Sequence, residues 1–195
     1  MDTVLPFAVF AFVASITPGP TNVLVLANAS RHGLRATVPM MLGACAAAAG
    51  VVLLVGSGFA APLAAHPSVQ RGIGLVGLVW LSVLAWQLLR SDPSLDAGHD
   101  GARLGFLGAA GLQLVNPKVW MMALAVIGVF ASGGQATRVA GLSLLFFFIA
   151  LPCMGTWAWF GLRAARWIHS PRKLRRFNQA MALLLLVSAW LTVLV

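Results

Sequence analysis

Two short stretches place prolines, polar residues and a lysine in the middle of apolar sequence. The first consists of six consecutive residues: Thr17, Pro18, Gly19, Pro20, Thr21 and Asn22. The second consists of Gln113 and, shortly after it, Asn116, Pro117 and Lys118. Because proline lacks an amide N–H and clashes with the carbonyl four residues earlier, each stretch predicts a break in a helix. Breaks in two corresponding apolar helices of a membrane protein are typical of a transporter's substrate site.

The chemistry that such breaks offer is the binding of a zwitterion. Pro18 leaves the carbonyl of Ala14 without its usual partner, and Pro20 does the same for Ile16. A helix that restarts at a break presents free N–H groups and the positive end of its dipole, which attract an anion. The freed carbonyls and the oxygens of nearby Asn and Gln side chains can accept from an ammonium group.

Both breaks have the sequence of a capped helix start. Thr17 has the side chain of an N-cap residue with Pro18 at the first helical position, and Asn116 with Pro117 repeats the arrangement. We therefore expect new helices to begin directly after Thr17 and Asn116.

Lys118 is the one basic residue that lies near the middle of an apolar segment. A charged lysine at the centre of a bilayer costs at least about 2.5 kcal/mol. The alternative to a functional role is that its side chain extends to the membrane interface. We expect it instead to bind the carboxylate of a substrate beside the second break, and it is also a candidate for releasing a proton.

Acidic residues are absent from every apolar segment, because the four in the chain are Asp2, Asp92, Asp96 and Asp100. No histidine lies in those segments either, so a metal site, a cofactor or acid–base catalysis is not expected. An enzyme is therefore the weaker hypothesis. A dicationic substrate would require an acidic partner, so the sequence favours a neutral amino acid.

The two cysteines, Cys45 and Cys153, lie in different apolar segments. The simpler interpretation is that both are small buried hydrophobic residues. The alternative function is a membrane thiol–disulfide redox carrier, which requires the two sulfurs to come within bonding distance.

The elements that position all these residues are long apolar segments. Of the 195 residues, 60% are hydrophobic and 9% are charged, whereas about 25% are charged in a soluble domain. A spanning helix needs about 20 mostly apolar residues. Six segments qualify, approximately 4–28, 36–59, 69–89, 104–131, 139–162 and 177–195. The predicted fold is all-α, a polytopic membrane protein of six transmembrane helices with breaks in the first and fourth.

A polar joint over residues 91–103 divides the single predicted domain, 1–195, into repeats of about 1–90 and 104–195. Because each repeat contains three spans, the second is inverted relative to the first. Of the thirteen Lys and Arg residues, ten lie in the joints after the first, third and fifth spans and two on the opposite side. Cytoplasmic joints carry the excess of positive charge, so both termini are predicted to be periplasmic. The net charge of +9 therefore indicates topology and contact with anionic lipid rather than nucleic-acid binding.

Two motifs resemble the signatures of the lysine-exporter/homoserine–threonine-exporter family (LysE/RhtB). The first runs from Thr17 through Leu24 and on to Gly33, and the second runs from Leu114 to Trp120. The resemblance covers the whole chain and looks closest to the branch that exports cysteine and O-acetylserine. It implies export of amino acids or close derivatives across the bacterial inner membrane, driven by the proton gradient.

One position departs from the family's pattern. Many members carry an acidic residue in the second span after the glycine-rich turn, whereas this chain has only small, apolar residues from Gly43 to Gly50, with Ala48 near that place. Coupling through that carboxylate is therefore not expected here. Glycine-rich faces let helices approach closely in lipid, so a homodimer is a further possibility.

Overall fold

The computed structural model describes residues 4–58, 67–90, 104–131, 136–167 and 170–194. All the regular structure within these ranges is helical, which confirms the all-α prediction for this part of the chain. The seven helices found there are α1 (Val4–Ile16), α2 (Pro20–Gly56), α3 (Pro67–Arg90), α4 (Phe106–Leu114), α5 (Pro117–Phe130), α6 (Ala136–Trp167) and α7 (Pro171–Leu194). The joint 91–103 lies outside the described residues. So do all four acidic residues of the chain, Asp2 and the three in that joint.

Two of the described helices are long and apolar enough to cross a membrane: Pro20–Gly56, and Ala136–Arg166 within α6. Helices α4 and α5 form a third candidate if they are counted as one span with a bend of 68°. The structure is therefore that of a membrane-embedded helical protein.

Both predicted breaks are confirmed. Helix α1 ends at Ile16 and α2 begins at Pro20, while α4 ends at Leu114 and α5 begins at Pro117. The cause is the one expected from the sequence, since proline at each position removes the N–H that would continue the preceding helix.

Helix α2 bends sharply at Gly33, which has φ 78° and ψ 175°. The side-chain amide of Asn28 donates to the hydroxyl of Thr37 at 2.9 Å. In a straight helix these residues would lie about 13.5 Å apart along the axis, so the two parts of α2 fold back towards each other. The joint predicted between the first two apolar segments is thus a tight helical turn rather than a loop.

Helices α1 and α5 lie side by side and run in opposite directions. The rings of Phe7 and Phe130, at the start of α1 and the end of α5, are 5.5 Å apart edge to face. At the other end of the pair, Lys118 of α5 reaches Thr17, which follows α1. The two breaks therefore come together at one depth of the bundle.

Helix α6 packs along α2 and closes the bundle against the breaks. Its Ser143 hydroxyl donates to the Ala49 carbonyl at 2.6 Å. Near its other end Gly161 lies against the backbone of Leu26, where a Cβ would collide with the carbonyl oxygen. Helix α3 packs on α7, and α4 packs on α2.

Candidate binding site between the helix breaks

The end of α1 is held by side chains from three other helices, which donate to its last carbonyl groups. The bonds are Asn22 to Ser15 at 2.9 Å, Trp157 to Ile16 at 3.1 Å, and Lys118 to Thr17 at 3.1 Å. A helix end leaves its last four carbonyls without internal partners. These donors satisfy carbonyl groups that the break leaves free, so α1 can end within the bundle.

Helix α2 starts two residues later than predicted. Its N-cap is Gly19, with Pro20 at the first helical position, so the prediction that Thr17 caps this helix is wrong. The physical reason is that Thr17 still belongs to the last turn of α1. Its N–H donates to the carbonyl of Val13 at 3.0 Å, and its hydroxyl donates to the same carbonyl.

The second break is capped as predicted. The Asn116 side chain accepts from the N–H of Lys118 at 3.2 Å, and Pro117 occupies the first helical position of α5. The N–H of Val119 donates to the Asn116 carbonyl at 3.0 Å. The first N–H groups of α5 are thus already satisfied, whereas the start of α2 has no side-chain cap. The unused donors for an anion therefore belong to α2.

Three buried polar side chains join the two breaks. The Thr21 hydroxyl donates to Gln113 Oε1 at 3.1 Å. The Asn116 amide donates to Gln113 Oε1 at 3.2 Å and lies 3.4 Å from the Thr21 hydroxyl oxygen. Because Gln113 Oε1 already has two donors, it is not available to bind an ammonium group in this conformation.

Lys118 is half-buried, and its ammonium group turns towards the first break rather than the membrane interface. Its Nζ donates to the Thr17 carbonyl and lies beside Gly19, where a Cβ would be 3.1 Å from Nζ. The ammonium thus sits at the negative end of the α1 dipole. An ammonium carries three donors, so others remain for a ligand.

A cavity of about 40 Å³ lies between the breaks. Seven of the ten predicted site residues line it: Gly19, Pro20, Thr21, Asn22, Gln113, Asn116 and Lys118. Thr17, Pro18 and Pro117 do not, although the Thr17 carbonyl holds the lysine at its edge. The cavity is large enough to admit small polar molecules such as water.

Sequence reasoning missed the other walls of this cavity. They are provided by α1, the second part of α2, α5 and α6, through Ala14, Ser15, Ala44, Cys45, Ala48, Val119, Met122, Phe146, Ala150 and Met154. The spacing of Ala44 and Ala48, one helical turn apart, was the signal that could have found the α2 wall. Ala48 therefore lines the site.

A larger open cleft of about 710 Å³ adjoins the cavity on the side of α7. Its lining is apolar and includes Phe10, Leu26, Met181 and Leu184. Gly19, Lys118 and Met122 line both spaces. Lys118 therefore lies at the partition between the polar cavity and the cleft.

The two cysteines are buried free thiols. Cys45 lines the cavity, whereas the sulfur of Cys153 lies 4.0 Å from the Phe12 carbonyl oxygen, behind the end of α1. Only one of them is thus placed to meet a ligand in this conformation.

A cavity that polar side chains of two broken helices help to line, within a bundle of apolar helices, is typical of a membrane transporter. The chain belongs to the LysE family, because residues 12–194 match the family model described as LysE type translocator. The family expected from the two motifs is confirmed, and it is one of translocators rather than enzymes.

Curated relatives cover almost the whole chain. It is 32% identical over 189 residues to the cysteine/O-acetylserine efflux protein of Salmonella choleraesuis (strain SC-B67), covering 94% of this chain and 93% of the relative. The protein of the same name from Escherichia coli (strain K12) is 26% identical over 186 residues, again covering 94% and 93%. That of Klebsiella pneumoniae is 24% identical over 153 residues, or 78% of each chain. No solved structure shows a significant match.

Proposed function

We propose that this protein exports small neutral amino acids, or close derivatives, across the inner membrane of a bacterium. The observation that carries the proposal is the Lys118 ammonium, held at the edge of a polar cavity where two helix breaks meet. Curated relatives named as cysteine/O-acetylserine efflux proteins, matched along 93% of their length, support the same class of substrate.

The substrate carboxylate binds between Lys118 and the start of α2. At that helix start the N–H groups of Thr21 and Asn22 have no partner within the helix and no side-chain cap. These donors and the positive end of the helix dipole attract an anion, and the lysine adds a full charge. Among the described residues no Asp or Glu lines the cavity, so a second positive charge on the substrate would find no counter-ion in this part of the chain.

Binding is coupled to movement through Lys118. In the described conformation its ammonium bonds to the Thr17 carbonyl, and a carboxylate would compete with that carbonyl for it. The cavity of about 40 Å³ has little room for an amino acid, so loading requires the break segments to separate. We infer alternating access, with the two breaks closing around the substrate in turn.

The six-span inverted repeat is part of this proposal. The turn at Gly33 divides α2 into two segments, the first of which continues the broken span that begins with α1. Helix α1, in the first half, packs against α6 of the second half, and α4, in the second half, packs against α2 of the first. Reciprocal packing of this kind is expected for two inverted halves. Periplasmic termini, coupling to the proton gradient and a homodimer remain predictions from the sequence.

The test uses the chain's two lysines as a matched pair. Efflux of a panel of amino acids is measured in cells that overproduce the wild type, Lys118→Met or Lys173→Met, at matched membrane levels. Lys118→Met should abolish efflux, because the carboxylate loses its cation. Lys173→Met, on the exposed part of α7, should export like the wild type. Unchanged efflux by Lys118→Met would refute the site.

A further inference from the structure

Ser15 has a buried hydroxyl that meets no hydrogen-bond partner among the described residues. Its side chain is 6% exposed, its Oγ has neither donor nor acceptor within bonding distance in that part of the chain, and it lines the cavity. Leaving a buried hydroxyl unsatisfied is costly, and such groups are rare in folded proteins. A hydroxyl in this state beside a cavity is available to a molecule that occupies the cavity.

The group next to Ser15 is also short of a partner. The Ala14 carbonyl would normally accept from the N–H of residue 18, but Pro18 has none. The Thr17 N–H, the next nearest donor, is already bonded to Val13. Ala14 and Ser15 both line the cavity, so the Ser15 hydroxyl and a carbonyl that Pro18 deprives of its usual donor belong to adjacent residues near the negative end of the α1 dipole.

Three other acceptors beside the cavity already have donors. Gln113 Oε1 accepts from Thr21 and Asn116, and Asn116 Oδ1 accepts from the N–H of Lys118. The Ser15 carbonyl is occupied by the Asn22 amide. A cationic group of a ligand thus meets less competition from protein donors at the end of α1 than at Gln113.

We propose that Ser15 Oγ and the Ala14 carbonyl form the subsite for the α-ammonium group of the substrate. This inference rests on the proposed function and completes it, because the carboxylate lies at the start of α2 and the ammonium at the end of α1. The two helix ends at the first break thus bind the two opposite charges of a zwitterion. The small walls provided by Ala44 and Ala48 leave space for a short side chain only.

The experiment compares two buried serines. Ser15→Ala removes the unpartnered hydroxyl, whereas Ser143→Ala removes a hydroxyl that bonds to the Ala49 carbonyl across the α2–α6 contact. Binding of L-cysteine and of 3-mercaptopropionate, the analogue without the amino group, is measured on the purified full-length protein together with thermal unfolding. Wild type, both variants and Lys118→Met are tested.

Ser15→Ala should weaken L-cysteine binding by about tenfold or more, the effect of losing a hydrogen bond to a charged group. It should leave 3-mercaptopropionate binding unchanged and should melt no lower than the wild type. Ser143→Ala should melt lower and bind L-cysteine normally. Equal weakening of both ligands by Ser15→Ala, or unchanged L-cysteine binding, overturns the subsite. If the wild type binds no amino acid, or Lys118→Met binds them normally, the proposed function itself fails.

Discussion

Lys118 forms hydrogen bonds within both breaks. Its main-chain N–H is bonded to the Asn116 side chain within the second break, and its ammonium is bonded to the Thr17 carbonyl of the first. A ligand carboxylate that draws the ammonium away would leave that carbonyl without its donor. Binding would therefore change the hydrogen bonding at the first break through a residue that belongs to the second, although only one side chain changes partner.

Asn116 provides a stability test at the scale of a single residue. Asn116→Ala removes the cap of α5. It also removes the amide that donates to both Thr21 and Gln113. We expect it to lower the free energy of unfolding by about 1–3 kcal/mol. Asn116→Ser retains a capping oxygen and should recover part of the loss. Thermal or denaturant unfolding in detergent measures both, and an Ala variant as stable as the Ser variant would contradict the capping role.

Some site residues could be predicted from the sequence because their chemistry is local. Prolines remove an N–H wherever they occur, and a lysine deep in apolar sequence requires a partner, so both breaks and Lys118 were found. The role of Ser15 could not be predicted, since its hydroxyl is unusual only because the folded bundle brings no partner to it. Gln113 was expected to accept from a ligand, but folding supplies two donors from neighbours.

At the scale of elements, the turn at Gly33 divides α2 into two helical segments. Its φ of 78° and ψ of 175° lie in a region that only glycine adopts readily. Nothing lies within 4 Å of a Cβ placed at Gly33 or at Gly50. The two glycines thus differ in backbone conformation rather than in packing, which makes them a matched pair.

Gly33→Ala should lower the free energy of unfolding by about 1–3 kcal/mol, because alanine is strained in that backbone conformation. Gly50→Ala, within regular helix, should raise it by about 0.5–1 kcal/mol. Unfolding in mixed detergent micelles measures both differences. Equal effects of the two substitutions would mean that the turn does not require a glycine.

The start of α2 shows why element boundaries were harder to predict than the breaks. Thr17 and Gly19 are both acceptable at an N-cap, and the sequence offers a proline after each. The choice falls on Gly19 because Thr17 completes the last turn of α1 by donating to Val13. That preference depends on where α1 ends, which in turn depends on donors from α2, α5 and α6.

At the scale of the whole molecule, two arginine–tryptophan pairs mark helix ends. Arg90 lies over the ring of Trp86 at 4.4 Å, and Arg163 lies over that of Trp159 at 4.8 Å. All four side chains are exposed. Tryptophans and arginines at the ends of apolar helices are typical of a membrane interface, and both pairs adjoin joints that the charge count places in the cytoplasm.

This arrangement predicts the topology of the chain. With six spans and positively charged joints in the cytoplasm, the C-terminus lies in the periplasm. Alkaline phosphatase fused after Val195 should be active, and green fluorescent protein at the same position should not fluoresce. Fusions within the joint 91–103 should show the reverse. A fluorescent C-terminal fusion would contradict the six-span topology.

The central claim, that the substrate occupies the cavity between the breaks, can be tested through Cys45. In a Cys153→Ser variant Cys45 is the one remaining thiol, and its alkylation rate by N-ethylmaleimide is measured in purified protein with and without O-acetyl-L-serine. The account predicts that the ligand slows alkylation of Cys45 and that Lys118→Met removes this protection. Cys153, tested alone in a Cys45→Ser variant, should show no protection. Alkylation of Cys45 at the same rate with saturating ligand as without it would contradict the claim.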